Sequence, residues 1–380
     1  MIIGIICEYN PFHNGHIYHI NKIKELYPSS TIILVMSGNI LQRGDISIIN
    51  KWNKTSIALQ YNIDLIIELP FIYAVNSSDM FTKGSLKILN ELKVNKIIFG
   101  SELNDIKTLN LLANTQINND KYNNLVKEYL SKGLNYPTST GKALYDLTGI
   151  NINTPNDILG LGYIKEILIN NYNIEPLSIK RTNDYHSTNL DNEIISATSI
   201  RYALKEHKDI SKYVPDNTLK YLNNIKYLDD YYVLIKYHIL SNNIDNIYGM
   251  DNHIKSRIYK YIYKSNTLEE LINNIKSKNY TYNRIKRLMI YILFNINYND
   301  INNFKDYIRI LGFNNKGRIY LNKIKKDIKL PVITNYSKGK NLLNIDIKIN
   351  NILNLLLPNQ FSINEIKEKI KIFLDNDNNI

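Results

Sequence analysis

Residues 2–19 read IIGIICEYNPFHNGHIYH, and their pattern indicates the class of fold. Residues 2–7 form a continuous apolar run, which is the pattern of a strand that is buried on both faces. The loop EYNPFHNG follows, and Ile17, Ile20 and Ile23 then recur at helical spacing. A buried strand that leads through a polar loop into a helix is the opening unit of a parallel α/β sheet.

The alternation of strands and helices continues along the chain. Further apolar strands are predicted at TIILVMSG (31–38), DLIIELP (64–70), KIIFGSE (96–102) and IEPLSIKR (174–181). Helices are predicted at 51–62, 77–93, from Pro155 onward, and at 193–207, and residues 105–172 are mostly helical. This order predicts an α/β fold with a Rossmann-like, doubly wound parallel sheet.

A change in composition near residue 205 predicts two domains in the 380-residue chain, one at 1–205 and one at 206–380. The second is predicted to be mainly α-helical and to carry the positive charge. The net charge is +12, and residues 251–350 hold 20 Lys and Arg against 7 Asp and Glu. The same 100 residues hold ten tyrosines. Basic side chains bind along the phosphate backbone of RNA, and tyrosines stack on its bases. The composition of this segment therefore predicts contact with RNA.

Other classes of protein are disfavoured. No stretch approaches the roughly 18 apolar residues of a transmembrane helix, and residues 1–11 lack the basic leader of a signal peptide. The single cysteine, Cys7, excludes an internal disulfide. Its place in a buried strand favours a packing role over an acyl carrier. We therefore expect a cytoplasmic protein without an obligate protein partner.

His13, His16 and His19 lie three residues apart, and two kinds of site can explain them. A zinc site is disfavoured because the outer two positions diverge around a helix and no cysteine or acidic cluster completes a shell. A phosphate site fits better, because a helix N-terminus offers free N–H groups and partial positive charge. Imidazole N–H groups can also donate to phosphate oxygens as a pyrophosphate bond breaks.

Loops that follow the strands meet at one edge of such a sheet, where ligands bind. Gln42 and Arg43 lie in one of these loops and are either site residues or a surface turn. Glu8, Glu68 and Glu102 end three of the strands. Each is either a ligand of Mg²⁺ or a cap for neighbouring amide groups.

The run HNGH after EYNPF resembles the H-x-G-H signature of the nucleotidyltransferase superfamily. Together with VMSGNILQRGD, KWNKTSIAL, DLIIELPF and ISATSIR, it resembles the tRNA(Met) cytidine acetate ligase family over residues 1–205. The resemblance implies the nucleotidyltransferase fold and a reaction in which ATP and acetate give acetyl-adenylate. The acetyl group then passes to N4 of the wobble cytidine of elongator tRNA(Met), which gives N4-acetylcytidine.

The resemblance also implies roles for individual residues. His13 and His16 become the catalytic candidates, with ATP as co-substrate and Mg²⁺ expected beside it. Ser199 and Arg201 in ISATSIR resemble the second phosphate-binding motif of the superfamily, and Gly100, Asn156 and Arg181 match further ATP contacts. The remaining predicted ATP contacts form the loop Ile6, Cys7, Glu8, Tyr9, Asn10, Pro11, Phe12, His13, Asn14, Gly15, His16, Ile17, Tyr18 and His19. Because the roles of the three glutamates stay open, no particular residue is predicted as a metal ligand.

Two alternatives remain open. One is another H-x-G-H nucleotidyltransferase that adenylates a small phosphorylated metabolite, which would not explain the basic C-terminal segment. The other is a non-catalytic RNA-binding protein, against which the intact histidines and ISATSIR argue.

Overall fold

The computed structural model describes residues 1–181, 194–358 and 363–373. The strands among these residues are β1 (Ile2–Cys7), β2 (Thr31–Ser37), β3 (Leu65–Leu69), β4 (Lys96–Ser101), β5 (Glu175–Lys180), β6 (Ile308–Asn314), β7 (Val332–Ile333) and β8 (Lys371–Phe373). The helices are α1 (Asn14–Leu26), α2 (Lys51–Gln60), α3 (Phe71–Ala74), α4 (Ser78–Glu91), α5 (Ile106–Asn118), α6 (Asp120–Ser131), α7 (Tyr136–Thr148), α8 (Pro155–Asn170), α9 (Ala197–Lys205), α10 (Asp216–Leu219), α11 (Tyr232–Ser241), α12 (Asn252–Tyr261), α13 (Leu268–Ile275), α14 (Tyr282–Leu293), α15 (Tyr298–Asn302), α16 (Asn315–Ile324), α17 (Tyr336–Gly339) and α18 (Asn344–Leu353). Two short 3₁₀ helices cover Leu228–Tyr231 and Asn354–Leu356.

The strands form one sheet in the order β5-β4-β1-β2-β3-β6-β7, and β8 also pairs with β6. All pairs are parallel except β3 with β6. The chain runs outward from β1 through β2 to β3 and then returns to the other side of β1 as β4. The ends of β1 and β4 therefore form the topological switch point, where a ligand is expected. The predicted α/β, Rossmann-like parallel sheet is confirmed.

The apolar runs became strands because helices cover both faces of the sheet. Every residue of β2 and of β3 is buried, which accounts for sequences without a polar alternation. Ile5 of β1 pairs with Leu34 of β2, and Leu34 pairs with Ile66 of β3, so the central strands share one register. The five predicted strands and the helix starts near residues 51, 77 and 155 agree with the structure to within two residues.

The C-terminal part adds strands that the sequence analysis did not predict. Strand β6 pairs antiparallel with β3, and it continues the sheet begun by the first 181 residues. One hydrophobic core includes Ile67 of β3, Ile310 of β6 and Leu288 of α14. The stretches 1–205 and 206–380 therefore share a sheet and a core, and their division into two functional units remains a proposal.

In the described residues, no helix is both long enough and apolar enough to cross a membrane.

Candidate active site

Helix α1 begins with two histidines that cap it reciprocally. His13 is the N-cap residue, and its Nδ1 accepts a hydrogen bond from the backbone N–H of Gly15 at 3.0 Å. The Nδ1 of His16 accepts from the backbone N–H of His13 at 3.1 Å. The pair therefore forms a capping box, with imidazoles in the places that Ser or Thr and Glu usually occupy.

This cap fixes the tautomer of both rings. A ring nitrogen that accepts a hydrogen bond carries no proton, so a neutral imidazole must carry its proton on Nε2. Burial, followed by the charges of Arg181 and Arg201, lowers the pKa of His13 to about 3. Burial, with His13 next, lowers the pKa of His16 well below its usual value, and burial lowers that of His19 to about 4. The two capping rings are thus neutral near pH 7 and keep an Nε2–H donor.

The lowered histidine pKa gives a stability prediction. Between the unfolded pKa of 6.5 and the folded pKa of about 3, the unfolded chain binds a proton at His13 that the folded chain does not. The free energy of unfolding should therefore fall as the pH falls below 6.5, by up to about 1.4 kcal/mol per pH unit for this one group. Denaturation of the native protein and of His13→Asn, from about pH 7 to about pH 4, measures the effect. The variant should show the shallower decline, and equal slopes would exclude His13 as the titrating group.

Packing holds both rings in place. Tyr9 and Phe12 lie against His16, with ring centroids 4.6 and 5.5 Å from it. A Cβ on Gly15 would lie 2.7 Å from Cε1 of His13, so any larger residue would displace that ring. Gly15 is a predicted ATP contact, and the neighbouring imidazole is a further reason why this position needs glycine.

Lys54 joins the loop after β1 to the loop after β2. Its side chain is fully buried on α2, and its Nζ donates to the carbonyl oxygens of Glu8, Ser37 and Gly38, each at 2.9 Å. Burial lowers the pKa of Lys54 to about 7. The lysine therefore fixes the point at which both loops leave the sheet.

Two further contacts tie these loops together. The carboxylate of Glu8 accepts from the backbone N–H of Gln42 at 2.7 Å, and Oδ1 of Asn10 accepts from Ile48 N–H at 2.8 Å. The loop after β2 also touches α14. Gly44 has a φ of +81°, and a Cβ there would lie 2.7 Å from the backbone nitrogen of Arg287. Gly44 therefore lets the loop after β2 lie directly on α14, a helix of the C-terminal part.

The ISATSIR segment lies next to the histidine loop. The guanidinium of Arg201 donates to the carbonyl oxygen of Asn10 at 2.7 Å and to Oγ1 of Thr198 at 3.2 Å. Ser196 caps α9 by accepting from Ser199 N–H, and the hydroxyls of these two serines lie 2.8 Å apart. Ser199 is buried there and does not line the cavity, whereas Ser196, Ala197, Thr198 and Arg201 of this motif do.

Asn156 and Arg181 are brought together by Glu102. Its Oε1 accepts from Nδ2 of Asn156 at 2.6 Å and lies 3.4 Å from Nε of Arg181. Gly100, at the end of β4, is beside the stem of Arg181. These residues belong to three separate stretches of sequence, and one carboxylate, which the sequence analysis assigned to a metal or a cap, positions two of them.

A cavity of about 580 Å³ lies at this edge of the sheet. Most of the predicted site residues line it, namely Ile6, Cys7, Glu8, Tyr9, Asn10, His13, Gly15, His16, Tyr18, His19, Gly100, Asn156, Arg181 and Arg201. Five other predicted site residues do not line it, namely Pro11, Phe12, Asn14, Ile17 and Ser199. Among these, Asn14 donates from Nδ2 to the carbonyl oxygen of Lys212 at 2.8 Å, and it serves to hold the 210–214 segment against α1.

The starts of six helices meet at the cavity. N-cap or first-turn residues of α1, α4, α7, α8, α9 and α14 line it. Among the described residues, six Lys and Arg side chains line it against three Asp and Glu. Helix N-termini and cations together favour a polyanion, so the cavity suits a nucleoside triphosphate.

Several residues that line the cavity were not predicted from the sequence to belong to the site. They include Lys165 on α8, Tyr122 on α6, Tyr136 on α7, and Thr281, Asn283 and Arg287 at α14. The helix caps Asn135 and Thr281 were a readable signal for where α7 and α14 begin, but nothing local indicated that these helices meet over the sheet.

The sequence predicts two possible roles for Glu8, Glu68 and Glu102, as ligands of Mg²⁺ or as caps for neighbouring amide groups. In the described residues, no group of three or more His, Cys, Asp or Glu side chains is placed to hold a metal ion. Glu68 is buried and bonded to Nζ of Lys51 at 2.8 and 2.9 Å. The three carboxylates each hold a neighbouring protein group, and they do not form a cage for Mg²⁺.

Comparisons with known proteins identify the family of this chain. The family model described as HIGH Nucleotidyl Transferase matches residues 1–369. A tRNA(Met) cytidine acetate ligase of Thermoanaerobacter sp. is 39% identical over 363 residues, which cover 90% of each chain. One of Caldicellulosiruptor saccharolyticus is 38% identical over 341 residues, which cover 86% of this chain and 85% of that one.

Two solved structures are also similar to this chain. The apo crystal structure of Thermotoga maritima TmcAL, form I, is 29% identical, and it superposes with a TM-score of 0.90 over 98% of this chain and 99% of that one. TmcAL bound with alpha-thio ATP superposes with a TM-score of 0.87 over the same shares.

Proposed function

Because the chain belongs to the tRNA(Met) cytidine acetate ligase family, we propose that it uses ATP to join acetate to the wobble cytidine of elongator tRNA(Met). The product is N4-acetylcytidine, and the intermediate is acetyl-adenylate. The observation that carries the proposal is the pair of neutral histidines at the start of α1, which line a basic cavity and whose Nε2–H groups have no hydrogen-bond partner among the described residues.

In the first step, an acetate oxygen attacks the α-phosphorus of ATP and pyrophosphate leaves. Charge accumulates on the phosphate oxygens, where donors such as the imidazoles of His13 and His16 are most effective. Neutral donors fixed by the helix cap need no reorganisation as the bond breaks. Arg201, which joins ISATSIR to the histidine loop, is suited to the departing pyrophosphate.

In the second step, the N4 amine of cytidine attacks the acetyl carbon. A C–N bond forms, the C–O bond to AMP breaks, and AMP leaves with the electron pair while one N4 proton is released. No protein nucleophile is required. Burial raises the pKa of Cys7 to about 12, so its thiol remains protonated, in keeping with the predicted packing role.

Asn156, Arg181 and Gly100 are proposed to hold the nucleotide on the β4 side of the switch point. Glu102 keeps the first two in place. Mg²⁺ is proposed to arrive with ATP and to be held mainly by phosphate oxygens, since the nearby carboxylates are already engaged. Its contribution would be to neutralise charge on the triphosphate.

The basic C-terminal part is proposed to bind the tRNA in the cytoplasm. Arg287 lines the cavity itself, and the ammonium of Lys286 pairs with Asp45 in the loop after β2. RNA held by the helices beyond residue 250 would therefore lie next to the reaction centre, which is what transfer to a single base requires.

Incubation with labelled acetate, ATP and tRNA tests the proposal. The native protein should label elongator tRNA(Met), release AMP and pyrophosphate, and leave unlabelled a tRNA whose wobble cytidine is replaced by uridine. Transfer of AMP to a small phosphorylated molecule, or tRNA binding without ATP turnover, would contradict it and support one of the two alternatives from the sequence.

A further inference from the structure

One end of the cavity lies outside the residues assigned to ATP and the histidine loop. It is formed by the first turns of α4 and α7 and by the middle of α8, and Tyr136, Tyr122, Asp79 and Lys165 face it. We call these four residues the tyrosine end. None belongs to a motif that the resemblance covers, and the proposed chemistry of ATP uses none of them.

The tyrosine end offers an aromatic surface at the mouth of the cavity. Tyr136 is the first residue of α7 and is 54% exposed, although it lines the cavity. Tyr122 is buried behind it at 6% exposure. A half-exposed aromatic ring over a concave site is the form in which proteins stack an unpaired base.

A carboxylate and an ammonium group accompany the ring. Asp79, in the first turn of α4, pairs with the ammonium of Lys165 on α8. Cytosine presents an N4–H₂ donor beside its N3 and O2 acceptors, and carboxylates are the usual acceptors for N4. The tyrosine end thus holds both a partner for N4 and a donor for the acceptors beside it.

Position favours the base of an RNA over the adenine of ATP. Asn156, the proposed nucleotide contact, lies nine residues before Lys165 on α8, which is about 13 Å along the helix axis. That is longer than a single base. The rim is also shared with the basic C-terminal part, because Nδ2 of Asn135 donates to the carbonyl oxygen of Lys278 at 3.2 Å.

We propose that the tyrosine end is the subsite for the target cytosine, with the base stacked on Tyr136 and its N4 edge toward Asp79 and Lys165. This inference rests on the proposed function and deepens it. Stacking holds the base that enters from the single-stranded anticodon loop, and the polar pair distinguishes cytosine from uracil, which lacks the N4 donor.

The test separates activation of acetate from transfer to tRNA. Tyr136→Ala should lower kcat/KM for tRNA acetylation about 10- to 100-fold, in line with the loss of one stacking contact. Its acetate-dependent ATP–pyrophosphate exchange should stay within about twofold of native, because that half-reaction needs no base. Tyr136→Phe keeps the ring and should retain transfer.

Tyr145→Ala is the matched control. Tyr145 is on the same helix and is 55% exposed, but it does not line the cavity, so its loss should leave both activities unchanged. A raised KM for ATP in Tyr136→Ala would mean that adenine occupies this end, and equal losses in both half-reactions would mean a structural role. Either result, or unchanged transfer, overturns the inference. If the native protein shows neither exchange nor tRNA labelling, the proposed function itself fails.

Discussion

His13→Asn is expected to lower the rate of acetate-dependent ATP–pyrophosphate exchange by about 100- to 1,000-fold, which is typical for loss of a donor to a developing negative charge. The helix should persist, because asparagine is among the best N-cap residues and its Oδ1 can accept from the N–H of Gly15. The shorter side chain no longer carries the imidazole Nε2–H to the cavity. The variant therefore separates the two roles that His13 combines.

His13→Ala provides the comparison. It loses both the cap and the donor, so exchange should fall as in His13→Asn and the free energy of unfolding should fall by about 1 kcal/mol in addition. Exchange rates and denaturation curves of both variants measure this. If His13→Asn turned over at close to the native rate, the histidine would be a capping residue alone and the proposed activation step would be wrong.

Lys51→Met is expected to destabilise the protein by about 3–5 kcal/mol, because it leaves buried carboxylates without their cation. The Nζ of Lys51 lies 2.8 Å from Glu68, 3.0 Å from Glu365 and 3.7 Å from Asp346, and the lysine side chain is 1% exposed. Burial alone would lower the pKa of Lys51, but these carboxylates outweigh it and hold the pKa above its usual range. Removal of the ammonium reverses that balance.

Chemical denaturation measures the loss, and Lys22→Met is the matched control. Lys22 pairs with Glu25 at 2.7 Å on the exposed surface of α1, where water screens the pair, so its loss should leave the free energy of unfolding almost unchanged. Adding Glu68→Gln to Lys51→Met should recover part of the loss, because one buried charge is removed. A loss below about 1 kcal/mol for Lys51→Met would show that the cluster does not hold the C-terminal part to the sheet.

The effect of Lys51 concerns the whole chain because its partners are far apart in sequence. Glu68 ends β3, Asp346 lies in α18, and Glu365 also accepts from the buried guanidinium of Arg309 on β6 at 2.8 Å. Nδ2 of Asn350 also donates to Oε2 of Glu365 at 2.9 Å, and Nδ2 of Asn39, in the loop after β2, donates to Oδ1 of Asn350 at 2.8 Å. The C-terminal part therefore supports the loop after β2 as well as enlarging the core.

The sequence pattern was sufficient to predict β1 to β5 and the polar loop that joins β1 to α1. Continuous apolar runs predict buried parallel strands, and HNGH after the first of them places a helix start at the carboxyl edge of the sheet. These inferences depend on neighbouring residues, whose pattern follows from backbone geometry and burial. Most of residues 6–19 accordingly line the cavity, and their roles in binding ATP remain a proposal.

Which distant residues contact one another depends on tertiary packing. KWNKTSIAL is a recognisable motif, but its pattern does not reveal that Lys51 binds carboxylates while Lys54, one turn later, binds three carbonyl groups. Strand β6 joining β3, Glu102 holding Asn156 beside Arg181, and Tyr136 facing the cavity are likewise contacts between remote segments. These contacts depend on how the helices and strands pack against one another. A local sequence pattern shows that a surface is apolar, but it does not show which other surface will cover it.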